Sequence, residues 1–357
     1  MVAQLPRLHV RLGGRDVSAF RLCGVVGLAG AAGLAGALAA IHGASLAVQA
    51  LIVGAAVLTF FALAMATKVV TGREALIYYH HEVAVLTVAM AVAAVVGAPV
   101  LRHLDATALG LGVFLACGRV GCLMVGCCHG RPAPGRGVRY GHAHAEEGFP
   151  AHLVGVPLVP VQAVESAAVA GLVAVGVAAV LAGAPPGTGL VVYVTGYAVL
   201  RFGLELLRGD EGRRSAAGLT EAQWTSLALL SVMAAAGALG WVPAGGAAEA
   251  AALALCFAVL LPLAILDARA PSRRVRRPAH VRELAEALHG SLVRTSEGVL
   301  VSSGHEAGVA HYTLSGAGAP VAAELVRRLR HPTAAARIVR GRDEIAHLVV
   351  AQPQGTG

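Results

Sequence analysis

The stretch CGRVGCLMVGCCHG, Cys117 to Gly130, sets four of the chain's six cysteines beside Arg119 and His129 at the end of a long apolar run. Thiols at this density suggest three chemistries: soft-metal binding, disulfide cycling, or packing as small apolar groups. Cys122, Cys127, Cys128 and His129, with His80, His81, His142 and His144 elsewhere in the sequence, are residue types a soft metal accepts. Their spacing argues against a structural zinc site, which usually uses two separated ligand pairs, whereas adjacent Cys127 and Cys128 do not comfortably serve one tetrahedral ion. No metal ligand set and no cofactor are assigned from these residues. Arg119 needs its own explanation, because a guanidinium within a spanning segment is costly unless an anion compensates it.

Other polar groups stand at helical spacing. In YVTGYAVLRFGLELLRGD, Tyr197, Arg201, Glu205 and Arg208 fall at i, i+4, i+8 and i+11, one stripe on one helix face. That stripe either lines a polar pocket near a membrane surface or is a structural ion pair with Arg208 snorkelling at the helix end. VPVQAVES opens another helix at Pro160, with Gln162 and Glu165 sharing a face where they cap or cross-link a bundle. IYYHHEV gathers Tyr78, Tyr79, His80, His81 and Glu82. A histidine there could act as a general base near neutral pH; the plainer reading is an aromatic and polar belt. HAHAEE, His142 to Glu147, reads as a solvated loop.

The elements that position these groups are membrane helices. With 57% hydrophobic and 13% charged residues, the chain is too apolar for a water-soluble fold of 357 residues. About eight windows reach spanning length, roughly 20 to 41, 46 to 66, 83 to 101, 106 to 125, 161 to 182, 189 to 207, 223 to 242 and 247 to 267. The first is expected to stay in the mature protein, since no signal-peptidase site follows it. Ala, Gly, Val and Leu fill the windows, and small residues let helices approach closely. The expected fold is an all-α polytopic membrane bundle of seven or eight spans over 1–267. A basic linker, 268–279, carries Arg269, Arg273, Arg274, Arg276 and Arg277, and a small soluble α+β appendage covers 280–357. In the appendage His280, His289, His305 and His311 read as surface residues, and no catalytic motif is visible. The net charge of +8 is attributed to lipid phosphates and not to nucleic acid, because the arginines cluster beside apolar windows.

The frame Gly118, Arg119, Gly121 and Gly130, the stripe Tyr197, Arg201, Glu205 and Arg208, and the later GLTEAQW together resemble prolipoprotein diacylglyceryl transferases, over about residues 5 to 245. The resemblance implies transfer of a diacylglyceryl group from phosphatidylglycerol to the cysteine thiol of a lipoprotein precursor in the bacterial inner membrane, with release of glycerol phosphate. It assigns Arg119 and Arg201 to the lipid phosphate, which guanidinium forks suit. Tyr197, Glu205, Gln162, Glu165 and Gln223 match family positions, and His80 or His81 stands where a histidine is expected. The family frame G-R-x-G-N-x-x-N-x-E-x-x-G has Cys122, Val125 and Cys127 here at its two asparagines and its glutamate. The implied partners are phosphatidylglycerol or another anionic phospholipid, the precursor peptide and the membrane. Two other classes stay open: a membrane thiol-redox or metal-binding protein, and a non-catalytic lipid-binding scaffold on the same fold. Basic loops place the arginine side in the cytoplasm, whereas the resemblance implies a site facing the outer leaflet. The appendage is expected to be dispensable for the membrane chemistry.

Overall fold

The computed structural model describes residues 6–72, 78–133, 136–211, 213–243, 251–269, 274–288, 294–306, 309–330, 336–341 and 344–351. Arg73, Arg273 and His289 lie outside the described residues. A hairpin of β1 (His9–Leu12) and β2 (Arg15–Ser18) leads into α1 (Ala19–Ile41), α2 (Leu46–Thr71), α3 (Tyr78–Val95) and α4 (Val100–Val125). The short α5 (His142–Glu146), α6 (Val161–Leu181) and α7 (Thr188–Glu205) follow. A two-residue ladder of β3 (Ser215–Ala216) and β4 (Leu219–Thr220) precedes α8 (Glu221–Ala238). The next helix, α9 (Ala251–Ala268), widens into a π-helical turn over Leu255–Leu260.

Among the described residues, six helices are long and apolar enough to cross a membrane: α1, α2 as far as Val70, α3, α4, α6 and α9. The seven or eight spans expected from the apolar windows are not confirmed by this count. The windows at 189–207 and 223–242 do form α7 and α8, but Tyr197, Arg201 and Glu205 in one and Glu221 and Gln223 in the other dilute their apolar character. The fold turns Tyr197, Arg201, Glu205 and Gln223 inward and buries them. Outside, Leu58, Phe61, Met65, Val70 and Val95 are exposed, a surface suited to hydrocarbon.

Central α4 packs against α1, α3, α6 and α7. Its Ala106, Ala108 and Leu109 are wholly buried. Small residues set the helix spacing: a Cβ on Gly110 would come 2.9 Å from the Ala31 carbonyl oxygen, and one on Gly121 would come 3.2 Å from Cys23 Cβ. Buried Asp105 fixes α7 against α4. Its Oδ2 accepts from the Gly187 N–H at 2.7 Å and its Oδ1 from Leu190 N–H at 2.8 Å, so a carboxylate from one helix satisfies the N-terminal donors of another. Glycines in the left-handed region, Gly72 (φ 69°) and Gly126 (φ 80°), stop α2 and α4.

Beyond the membrane helices, α10 (Pro278–Ala287), β5 (Leu300–Glu306), β6 (Val309–Ser315), α11 (Ala319–Arg330), β7 (Ala336–Arg340) and β8 (Ile345–Ala351) build an antiparallel sheet of order β5-β6-β8-β7, with α11 packed on β6, β7 and β8. Leu284, Val299, Leu314, Val326 and Leu348 form its own core. His280 is buried instead of lying at the surface, because its ring bonds the Val275 carbonyl and the Thr295 hydroxyl, both at 2.8 Å. This unit is seated on the loops that follow α4 and α7: Arg328 Nη1 donates to the Pro132 carbonyl at 3.1 Å, and Arg282 pairs with Glu211 at 3.1 Å.

The α1–α4 contact should be sensitive to one methyl group. Gly110→Ala should cost about 1–3 kcal/mol by overpacking and lower the unfolding midpoint in detergent, whereas Gly36→Ala, which meets nothing within 4 Å, should leave it unchanged. Equal midpoints for the two variants would contradict the packing.

Candidate active site

Two loops bring the distant polar segments together. Past Gly126 the chain forms an antiparallel bridge between Gly130 and Arg208, flanked by Arg131 N–H to Leu207 O and Gly209 N–H to His129 O, each 3.0 Å. A Cβ on Gly209 would come 2.7 Å from Arg131 Cα, so backbone closeness requires glycine there. The bridge places the end of α4 beside the end of α7. Further bonds hold the α4 terminus: Tyr140 Oη donates to Leu123 O at 3.0 Å, His144 Nε2 lies 3.2 Å from Met124 O, and Gln162 Nε2 donates to Cys127 O at 2.9 Å. His144, expected in a solvated loop, is buried by this contact.

An ion-pair network fills the junction. Arg119 Nε lies 3.0 Å from Glu165 Oε2, with side chains 8% and 1% exposed; its N–H does not point along the contact, which is an ion pair without a hydrogen bond. Tyr197 Oη donates to the other Glu165 oxygen at 2.9 Å. Arg201 Nη1 and Arg213 Nη1 each donate to Glu205, one to each oxygen, both at 2.6 Å. Arg208 grips Asp210 with two parallel bonds of 2.7 Å. It is buried, and so does not snorkel into solvent as a lone charge. Charges so far from water persist only when paired. Four guanidiniums meet three carboxylates in this network, which leaves a positive balance.

The site residues expected from sequence divide into groups. Arg119, Glu165 and Tyr197 are brought into direct contact, Arg201 and Glu205 form a second pair, and Arg208 joins them through the loop. Gln162 holds the backbone at Cys127. Gly121 serves the α1–α4 approach, while Gly118 has open space where a Cβ would stand. Gln223 closes a capping box with Thr220: its Oε1 accepts from Thr220 N–H at 3.0 Å, and the Gln223 N–H reaches Thr220 Oγ1 at 3.4 Å. His80 pairs with Glu221 at 2.7 Å, and His81 packs on the Phe60 ring at 4.5 Å. The tyrosines of the same motif reach the stripe: Tyr78 bonds Tyr193 at 2.5 Å, and the Tyr79 ring centroid lies 5.5 Å from that of Tyr197. Sequence reading gave no role to Asp210, Arg213 or Tyr193. For the first two the available signal was the charge density of RGDEGRR; no periodicity marks them.

Cys122, Cys127 and Cys128 converge, their sulfurs all within 4.8 Å of one another. Cys128 reaches this position through a left-handed backbone, φ 53°, rare for a residue with a side chain. Hydrogen bonds from Cys122 and Cys127, with help from the Arg208 and Arg119 charges, hold the Cys128 thiol well below the usual thiol range despite its burial. Cys127, donating within the same cluster, is held above that range.

Residues 34–241, more than half of the chain, match the family model described as prolipoprotein diacylglyceryl transferase. No curated protein and no solved structure matches the chain significantly.

The Arg119–Glu165 pair should behave as a buried couple. Glu165→Ala should destabilise by ~3–5 kcal/mol because it strands a guanidinium; the double variant Arg119→Leu/Glu165→Leu should recover much of that loss. Thermal unfolding of the three proteins measures both, and an unperturbed Glu165→Ala midpoint would show that the pair does not hold the bundle.

Proposed function

The chain belongs to the prolipoprotein diacylglyceryl transferase family, and on that premise we propose that it moves the diacylglyceryl group of phosphatidylglycerol onto a cysteine thiol of a lipoprotein precursor. The observation that carries this reading is the buried network of Arg119, Arg201, Arg208 and Arg213, in excess over its carboxylates, at the end of an apolar bundle. An anionic lipid whose tails lie along the bundle would bring its phosphate to that excess. Guanidinium forks then bind the phosphate and stabilise the charge that grows on the departing glycerol phosphate. Arg119 and Arg201 take the phosphate in this reading, Tyr197 and Glu165 orient Arg119, and Glu205 orients Arg201. Arg208 and Arg213 complete the positive rim, and Gln162 keeps the Cys122–Cys128 turn in place.

The reaction is an alkyl transfer to sulfur. The acceptor thiol gives its proton to a base, for which His80 and His81 are the candidates, its sulfur attacks the glyceryl carbon, and the carbon–oxygen bond breaks with its electron pair on the phosphate oxygen of the released glycerol phosphate. Glu221 pairs with His80 and Phe60 packs on His81, so in this reading their neighbours fix both rings on the α2–α3–α8 side of the site. Residues 1–267 carry the membrane chemistry, 268–279 link, and 280–357 form the appended unit in the bacterial inner membrane protein.

The test is transfer itself. Purified protein in phosphatidylglycerol vesicles should add one diacylglyceryl mass to a cysteine-containing lipobox peptide and should restore lipoprotein modification in a transferase-depleted bacterium. Arg119→Lys and Arg201→Lys should each lower kcat/KM by about 10²-fold, since an ammonium lacks the planar fork. Arg213→Ala should weaken transfer less, because Arg201 still holds Glu205. Absence of transfer by folded protein would reject the reading, and full activity of both Lys variants would reject the phosphate assignment.

A further inference from the structure

The convergent thiols have no part in the chemistry just described, yet the fold builds their position with care. Cys122 closes α4, Gly126 ends it, and Cys127 and Cys128 turn back so that three sulfurs face one point. All three are free thiols. Adjacent cysteines normally project apart, which is the reason their spacing speaks against a metal in the sequence. The left-handed Cys128 removes that objection by redirecting its side chain toward the other two. Backbone strain of this kind persists where surrounding contacts enforce it, and here Gln162 holds the Cys127 carbonyl, in the peptide that leads into Cys128.

The dimensions fit a metal. Zinc–sulfur bonds of about 2.3 Å place sulfurs around one ion about 4 Å apart, so three sulfurs already within 4.8 Å need only small side-chain rotations to close on it. Three ligands leave a tetrahedral ion one open position. The acceptor in the proposed transfer is itself a thiol. A thiol bound to zinc is deprotonated outright, and the thiolate is the nucleophilic form. Val125, the last residue of α4, is apolar and His129 Nδ1 lies 3.0 Å from Gly130 O, so the soft-metal ligands that converge at this turn are the three sulfurs. Cys127 is exposed, so the cluster is open to an approaching peptide on that side.

We propose that Cys122, Cys127 and Cys128 hold a zinc-class divalent cation as three thiolates and offer its fourth position to the acceptor cysteine. The inference rests on the transferase reading for its second half, while metal binding stands alone. The balance is closed. The acceptor thiol releases its proton to water as sulfur binds the ion, and the bound sulfur forms its bond to the glyceryl carbon. The carbon–oxygen bond breaks toward the phosphate held by the arginines, and the resulting thioether, a weak ligand, leaves the ion. Nothing is oxidised or reduced.

Full-length protein, reduced and reconstituted with zinc, should hold one ion per chain by elemental analysis. Cobalt(II) in its place should show sulfur-to-cobalt charge-transfer absorption with tetrahedral visible bands, and these should shift when a cysteine peptide, but not its serine counterpart, is added. Cys127→Ser and Cys128→Ser should lose the ion, whereas Cys256→Ser, in α9, should keep it; unfolding midpoints identify any variant that has merely failed to fold. Chelation should reduce peptide transfer at least tenfold and zinc should restore it. Metal binding with a peptide-dependent spectrum but no transfer from any lipid would sustain the site and reject the transferase reading. Transfer that survives chelation and both substitutions would overturn the metal proposal and leave the transferase reading intact. An isolated chain with these thiols locked in a disulfide, or one that takes up no zinc or cobalt after reduction, would also overturn it.

Discussion

A charge buried among apolar helices must meet an opposite charge, and the contact of Arg119 with Glu165 is where this chain obeys that requirement most strictly. The pair joins α4 to α6, and the Tyr197 hydroxyl on the second carboxylate oxygen adds α7. Three helices are thus held by one carboxylate. Because both side chains are almost inaccessible to water, neither residue tolerates the loss of its partner. The angular mismatch at Arg119 Nε leaves hydrogen-bonding capacity at the centre of the site. In the proposed transferase that capacity would go to the lipid phosphate.

The helices alone do not finish the site. Arg208, Asp210 and Arg213 lie beyond α7, and the strand-like bridge between Gly130 and Arg208 fixes them against the end of α4. Close backbone approach at Gly209 makes the bridge possible. The C-terminal sheet unit presses on the same loops through Arg282 and Arg328. An appendage that looks detachable in sequence is therefore in contact with loops leading to the site, and its removal alters their surroundings even if the bundle stays folded.

In the proposed transferase, Cys122, Val125 and Cys127 at three positions where the resemblance expects polar residues would change how the thiol is activated and leave the phosphate-holding arginines in place. Arg119, Arg201, Glu165, Glu205 and Tyr197 are of the types that the resemblance to the family expects. Cys122 and Val125 stand in the last turn of α4 and Cys127 just past it, where the backbone departs from helix and enters the left-handed region twice, at Gly126 and Cys128. A turn is the part of a bundle that can change its chemistry while helix packing is preserved.

Apolar length and the 3.6-residue period are local properties of the chain, and they were enough to show a membrane bundle, to mark its polar helix faces, and to group Arg201 with Glu205. The lone cation Arg119 was legible for the same reason, since it interrupts an apolar run. Glu165 was readable as a cross-link, though not to which partner. Folding was needed to pair Arg119 with Glu165, recruit Asp210 and Arg213, bury His280, and gather three cysteines onto one point. Each of these depends on contacts between segments far apart in the chain, on residues that no periodicity marks, or on one unusual backbone angle. Composition and periodicity describe the directions a segment favours, whereas a buried charge selects its partner from whatever the fold brings within about 4 Å, at an electrostatic strength that only the surrounding burial decides.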